Sequence, residues 1–174
     1  MTTAADDVSG GDRPDGERPS DDRPSLFPWP PLLLAGCIAL ALAVDRWIIP
    51  LPAPFAEMSI VKAGGWLFLA QGLGLLTSAF VLFQRHKTSI RPDRSARVLL
   101  TTGPFAFSRN PIYLGEAVTL LGSALVLNRL SLVLVVPLFI GLVTRLAIRG
   151  EEAHLDRRFG EAYALYCNQV RRWL

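Results

Sequence analysis

Ala63–Phe83 reads AGGWLFLAQGLGLLTSAFVLF, 21 residues without a charge, with Gln71 its one strongly polar side chain. About 20 apolar residues in a helix cross the ~30 Å hydrocarbon core of a bilayer. The run is continuous rather than alternating, so it reads as a helical span and not as a strand of a membrane barrel. Three further apolar stretches flank it. The first covers 32–51 and is interrupted by Asp45-Arg46 near one end. The third covers 111–127, with Glu116 in its first turns, and the fourth covers 130–148, with Pro137 midway and Arg145 near its end. Only Asn128-Arg129 separates the third from the fourth, which predicts a tight antiparallel helical hairpin. The expected fold class is therefore all-α: a polytopic membrane bundle of about four helices.

The 174 residues suffice for one domain. Hydrophobic residues make up 51% and charged ones 19%, with a mean hydropathy of +0.33. That balance, concentrated in four runs, excludes a water-soluble globular enzyme. The net charge of +3 hides a division. Residues 1–30 hold seven acids and three arginines, whereas 31–174 hold fifteen bases and eight acids. The first segment, built of Asp, Gly, Pro, Ser and Arg without apolar periodicity, reads as a disordered acidic tail. Its acidic start is not that of a signal peptide, and an acidic arm is not one for nucleic acid. Cys37 and Cys167 form no disulfide framework, and His86 and His154 give no zinc spacing, so no metal is expected.

The loops predict orientation. The connection 84–110 carries Arg85, Lys87, Arg91, Arg94, Arg97 and Arg109 against a single acid. The segment 149–174 adds Arg149, Arg157, Arg158, Arg171 and Arg172, while the two opposite connections hold only Arg46, Lys62 and Arg129. The positive-inside rule then sets both basic segments and both termini in the cytoplasm of a multi-pass protein, of the kind found in a bacterial-type plasma (inner) membrane. The lipid bilayer is its expected partner, with no nucleic acid and no obligate protein partner.

Two polar segments come to that same side. Asn110-Pro111 reads as the start of span three, with Asn110 as N-cap and Pro111 at the first helical position. The helix N-terminus at Pro111–Tyr113, with the free N–H groups that follow the proline, suits an anionic group, and Glu116 is tolerable near that helix dipole. After span four, Leu155, Phe159, Tyr163 and Tyr166 recur at amphipathic spacing, predicting one helix along the membrane surface, roofing the bundle. Glu151 and Glu152 fall directly after the span. Gly72 and Gly74 make a small-residue notch in span two, which in lipid ordinarily serves helix packing.

The run Gly103-Pro-Phe-Ala-Phe-Ser-Arg-Asn-Pro-Ile-Tyr-Leu-Gly115, then a helical hairpin, then Glu151-Glu152-x-x-Leu155-x-x-x-Phe159-Gly160-x-x-Tyr163-x-x-Tyr166-x-x-x-Val170, resembles the isoprenylcysteine carboxyl methyltransferase and phospholipid methyltransferase superfamily of membrane enzymes. The resemblance spans about 63–173. It implies a methyltransferase using S-adenosylmethionine, with a lipophilic acceptor (an isoprenylcysteine-type carboxylate or a phospholipid-type group) reaching the site from the membrane. By position it implies that Val98, Leu99 and Leu100 contact the cofactor, and that Gly103, Phe105, Asn110, Pro111 and Tyr113 line its pocket. Glu151, with Glu152 beside it, would bind its polar end. Gly72 and Gly74 resemble the cofactor-binding glycines of the phospholipid branch, and Arg145 or Arg149 the arginine tied to substrate, which makes Glu151 and Arg149 the catalytic candidates. The family's Arg-His-Pro is Arg109-Asn110-Pro111 here, and asparagine cannot take up a proton. Two alternatives stand beside this reading: an NADPH-dependent enzyme like the sterol reductases, or a non-catalytic membrane protein with a degenerate pocket.

Overall fold

The computed structural model describes residues 29–48, 58–85 and 99–174. Among the described residues every regular element is helical: α1 (Trp29–Ala43), α2 (Ser59–Arg85), α3 (Pro111–Val126), α4 (Leu130–Val143), α5 (Arg149–Phe159) and α6 (Glu161–Gln169). The acidic tail up to residue 28, the end of the first expected span beyond residue 48, and residues 86–98 of the basic loop lie outside the described residues.

The helices pack in the order α2, α3, α4, α1. On α3, Tyr113, Ala117, Leu120 and Ala124 recur every three or four positions and are buried; on α4, Leu132, Val135, Phe139 and Val143 do the same. Each row forms one stripe of its helix, and the two stripes face each other with Cys37 and Ala41 of α1 closing the cluster. Ser131 Oγ donates to Asp45 Oδ2 at 2.7 Å and Arg129 lies 3.7 Å from the same oxygen. The acid that interrupts the first apolar run thus ties α1 to the hairpin.

α2 has no such stripe. Only 11% of its most apolar window is buried, and Ile60, Trp66, Leu67, Leu73 and Phe80 are exposed. The core helix of a soluble protein would hide these side chains; this one leaves them for a nonpolar solvent. What α2 does bury against α3 is glycine. A Cβ on Gly72 would come within 2.7 Å of Thr119 N and 2.9 Å of the Gly115 carbonyl. One on Gly122 would meet Leu69 N at 2.7 Å and the Gly65 carbonyl at 2.8 Å. Gly65 and Gly72 are seven apart on α2, and Gly115 and Gly122 are seven apart on α3. The antiparallel pairs Gly72·Gly115 and Gly65·Gly122 let the two backbones touch, as small residues do where no hydrophobic force between helices is available.

The hairpin forms as expected. Asn128 adopts φ 56, the left-handed conformation that asparagine accepts more readily than most residues. Arg129 N–H reaches the Ala124 carbonyl (3.0 Å) and Asn128 N–H the Leu125 carbonyl (3.4 Å), so the last carbonyls of α3 are satisfied by a Schellman closure.

Among the described residues two helices are long and apolar enough to cross a membrane, Ser59–Arg85 and Leu130–Phe159; α3 is a shorter apolar helix. The second of these continues as a helix past residue 148, the expected end of span four. α4 does not stop at residue 148 but runs through a π-helical turn, Thr144–Ile148, directly into α5. The expected single amphipathic helix over 149–174 is likewise two. Gly160 breaks it at φ 49, a conformation that favours glycine, with its N–H closing on the Asp156 carbonyl at 2.8 Å.

Candidate active site

α3 begins at Asn110-Pro111, and proline there loses no hydrogen bond, because the first N–H groups of a helix have no partner inside it. Asn110 occupies the N-cap position, but its side chain makes no cap. Asn110 Nδ2 instead donates to the carbonyl of Arg172 at 3.1 Å. Ser108 Oγ donates to the same carbonyl at 3.2 Å and accepts the Asn110 N–H at 3.2 Å. Arg109 N–H donates to the Arg171 carbonyl at 3.0 Å. Arg171 and Arg172 therefore belong to a strap, fastened to the segment before α3 by three hydrogen bonds.

α6 holds the other side of that segment. Tyr166 Oη donates to the Phe105 carbonyl at 2.7 Å, and burial pushes its phenol up to about 12, so it keeps the proton it donates. The Phe105 ring meets Phe83 of α2 edge-on, 5.7 Å between centroids. Leu99 packs on Tyr163, Tyr166 and Val170, and Leu100 is buried.

Glu151 and Glu152 stand behind the strap and have different partners. Glu151 Oε1 accepts the Tyr113 hydroxyl at 2.7 Å. Glu152 takes the Arg172 guanidinium in a two-point contact, 3.0 Å from Nε and 2.6 Å from Nη2, with Arg109 Nη1 3.5 Å away. Such forked pairs fix orientation as well as charge, and the hydrogen bonds to Glu152 raise the affinity of Arg172 for its proton. Arg109 Nη1 also donates to Cys167 Sγ at 2.6 Å. Glu116, three residues beyond Tyr113 on α3, interacts electrostatically with Glu151. Its Oε2 is buried without a hydrogen-bond partner.

The structure brings Phe105, Asn110, Pro111, Tyr113, Glu151 and Glu152 to one place, where α3, α5, α6 and the strap meet. Leu99 adjoins it through α6, Leu100 is buried, and Gly103 opens the Gly103–Ala106 turn with φ 61. Val98 lies outside the described residues. Gly72 is buried in the α2–α3 contact, and Gly74 is exposed with open space around its Cα. Arg145, in the π-helical turn, and Arg149, at the start of α5, are both exposed. The residues that sequence reading did not single out are Ser108, Arg109, Cys167 and Arg172. Arg172 enters a positive-inside count as one more base; nothing local tells that it pairs with an acid twenty residues earlier. Arg109, inside the Arg-Asn-Pro run, carried the one usable signal.

A polar ligand with both charges would find partners here. Arg109 Nε and His154 Nε2 are buried with no hydrogen-bond partner, and buried polar atoms seldom stay unpaired. His154 is three residues from Glu151 on α5, so an unspent donor, an unspent imidazole nitrogen and a carboxylate share one neighbourhood. These groups fit the ammonium and carboxylate of an amino-acid moiety.

An all-helical chain with a helix of exposed apolar side chains and this polar junction defines a membrane-associated protein with a buried polar site. A family profile described as phospholipid methyltransferase matches residues 60–162. The chain belongs to that family, whose activity is membrane methyl transfer. No curated protein and no solved structure matches it.

Proposed function

We propose that this protein is a multi-pass membrane methyltransferase that takes its methyl group from S-adenosylmethionine and passes it to a lipophilic acceptor. The observation that carries the reading is the Tyr113–Glu151 hydrogen bond beneath the strap, with the unpaired Arg109 Nε and His154 Nε2 close by. Glu151 would receive the ammonium of the methionine end. The Tyr113 hydroxyl, by donating to Oε1, holds that carboxylate in one orientation. Arg109 and the N–H groups at the start of α3 would receive the carboxylate of the same end. A bound sulfonium supplies a methyl carbon already activated for displacement. The protein's share is then alignment and the exclusion of water. The strap and α6 cover the pocket, and Glu152, by pairing with Arg172, fastens the cover. Glu152 thus serves by closing the site, and Glu151 by binding.

The bilayer is the source of the acceptor, and the basic segments 84–110 and 149–174 face the cytoplasm with both termini. Titration calorimetry of the purified protein with S-adenosylmethionine tests the reading. Wild type is expected to bind, and Glu151→Gln to bind at least about tenfold more weakly, the loss of roughly 1.4 kcal/mol in a charge-assisted contact. Wild type that takes up no S-adenosylmethionine would sink it.

A further inference from the structure

The polar site is closed. Ser108, Asn110 and Tyr113 are 1%, 8% and 7% exposed, and Glu151 Oε1 already accepts the Tyr113 hydroxyl. A solute the size of an amino acid reaches these groups only if part of the cover moves. The two parts of the cover are held by different forces. α6 is held by apolar burial: Tyr163, Tyr166 and Val170 form one cluster, with Leu99, Leu155 and Phe159 packed against it. Past Val170, whose backbone is extended (φ −125, ψ 130), the hold turns polar. It consists of the three hydrogen bonds to the Arg171 and Arg172 carbonyls and the Arg172 side chain on Glu152, with half-buried Trp173 as the apolar anchor. Water replaces such hydrogen bonds at small net cost, whereas it offers no substitute for apolar burial. Residues 171–174 are therefore the part of the cover whose release costs least.

Glu152 is shared. Both of its oxygens hold Arg172, whose side chain is 39% exposed, so water and salt reach the pair from that side. Arg109 Nη1 stands 3.5 Å from Oε1, and Arg109 Nε is buried without a hydrogen-bond partner. Two guanidiniums thus divide one carboxylate. Glu151 does not make up the difference, because it is turned to Tyr113. Nor does Arg109 travel with the strap: its Nη1 also donates to Cys167 Sγ at 2.6 Å, on α6. A ligand carboxylate at Arg109 supplies the second anion. It also draws Arg109 off Glu152, so that the whole of that charge falls to Arg172. The ion pair that fastens the strap is then tighter with ligand bound than without it.

We infer that residues 171–174 are a gate to the polar site, hinged at Val170, and that the ligand's own carboxylate closes it through Arg109. Without ligand, Glu152 is divided, Arg172 releases it at intervals, and the strap parts to admit a zwitterionic solute from water. With ligand, Arg109 turns to the incoming carboxylate, Glu152 belongs to Arg172 alone, and the strap shuts. A ligand shifts such an equilibrium only by its differential affinity for the two states, and here the difference is the Arg109 contact. The coupling is reciprocal, so whatever loosens the Glu152–Arg172 pair also loosens the ligand. Arg172 is a positioning residue: it touches no ligand and sets how fast one leaves. The ligand's identity rests on the methyltransferase reading above; the motion of the strap does not.

The test uses the full chain in lipid nanodiscs with Trp29→Phe, Trp47→Phe and Trp66→Phe, which leaves Trp173, on the strap, as the one indole. Acrylamide, an uncharged quencher, reads its exposure to water. Raising KCl from about 0.05 M to about 0.5 M screens an ion pair that water reaches, and should at least about double the quenching constant. Adding Arg172→Gln should give the high-salt value at both concentrations. Arg172→Lys, which keeps the charge without the fork, should lie between. Saturating S-adenosylmethionine should lower the quenching of the Trp173-only protein, and in a chase should leave Arg172→Gln about tenfold faster. Quenching that ignores salt, or that Arg172→Gln leaves unchanged, overturns the gate whether or not S-adenosylmethionine binds. If Arg172→Gln does not fold, the salt titration of the native pair decides alone. S-adenosylmethionine that binds and leaves the quenching as it was overturns closure by the ligand. Salt-dependent exposure in a protein that takes up no S-adenosylmethionine supports the moving strap and overturns the methyl-transfer reading alone.

Discussion

Asn110 has two lives, one in the sequence and one in the folded chain. In the sequence it replaces the histidine of the family's Arg-His-Pro and reads as a helix cap. In the structure its amide is a buried donor to the Arg172 carbonyl, 3.1 Å away, and caps nothing. The position therefore asks for an N–H aimed at the strap, which a histidine also owns and an alanine does not. Asn110→Ala removes one hydrogen bond and should cost about 1 kcal/mol. Asn110→Asp sets a carboxylate oxygen against the carbonyl and should cost more, about 2–3 kcal/mol for the mismatched buried pair. Thermal unfolding in one detergent should rank wild type above Asn110→Ala, and that above Asn110→Asp, with Asn110→His nearest to wild type. An Asp variant as stable as wild type would show that the amide is not what fastens the strap. The motif itself was legible because it is local. Its partner lies 62 residues away, at a separation where no periodicity in the chain carries information.

At the scale of the element, the two glycines of Gly72-Leu73-Gly74 separate. Gly72 stands where the α2 backbone touches Thr119 and Gly115, whereas Gly74 has no heavy atom within 4 Å of an added Cβ. Successive positions two apart on a helix point in different directions, so one notch in the sequence became two unlike surfaces. Gly72→Ala should force α2 and α3 apart and cost about 1–3 kcal/mol, as overpacking does. Gly74→Ala should be neutral or gain up to about 1 kcal/mol from helix propensity. Paired melting curves check this, and calorimetric titration with S-adenosylmethionine adds a second readout. A Gly74→Ala protein that is stable yet binds S-adenosylmethionine poorly would support the cofactor role that the family resemblance implies for this glycine. The apolar runs, the hairpin and the amphipathic spacing of Leu155, Phe159, Tyr163 and Tyr166 could all be read beforehand, because each is a short-range pattern. The continuation of α4 through a π-helical turn into α5 could not. It depends on Ala147 and Ile148 staying buried in the core while Glu151 swings beneath Tyr113, and that is decided by packing between helices.

For the whole molecule the decisive quantity is the distribution of charge along the chain. The basic residues lie in 84–110 and 149–174, and the opposite connections hold three. Arg172 is neutralised by Glu152 and Arg109 partly so, which removes two bases from the count without moving the balance to the other side. Inverting the protein would carry the remaining bases across the bilayer, against the positive-inside rule. The hairpin turn at Leu127–Arg129 should therefore lie outside and the C-terminus inside. A chain with Cys37→Ala and Cys167→Ser, given either Leu127→Cys or Leu174→Cys, distinguishes the cases, since both positions are exposed. In intact cells a membrane-impermeant maleimide should label Leu127→Cys and leave Leu174→Cys untouched until lysis. The reverse pattern would invert the orientation. Labelling of both from outside would mean that the helix Leu130–Phe159 does not cross, and the proposed site would then lack the bilayer from which its lipophilic acceptor has to come.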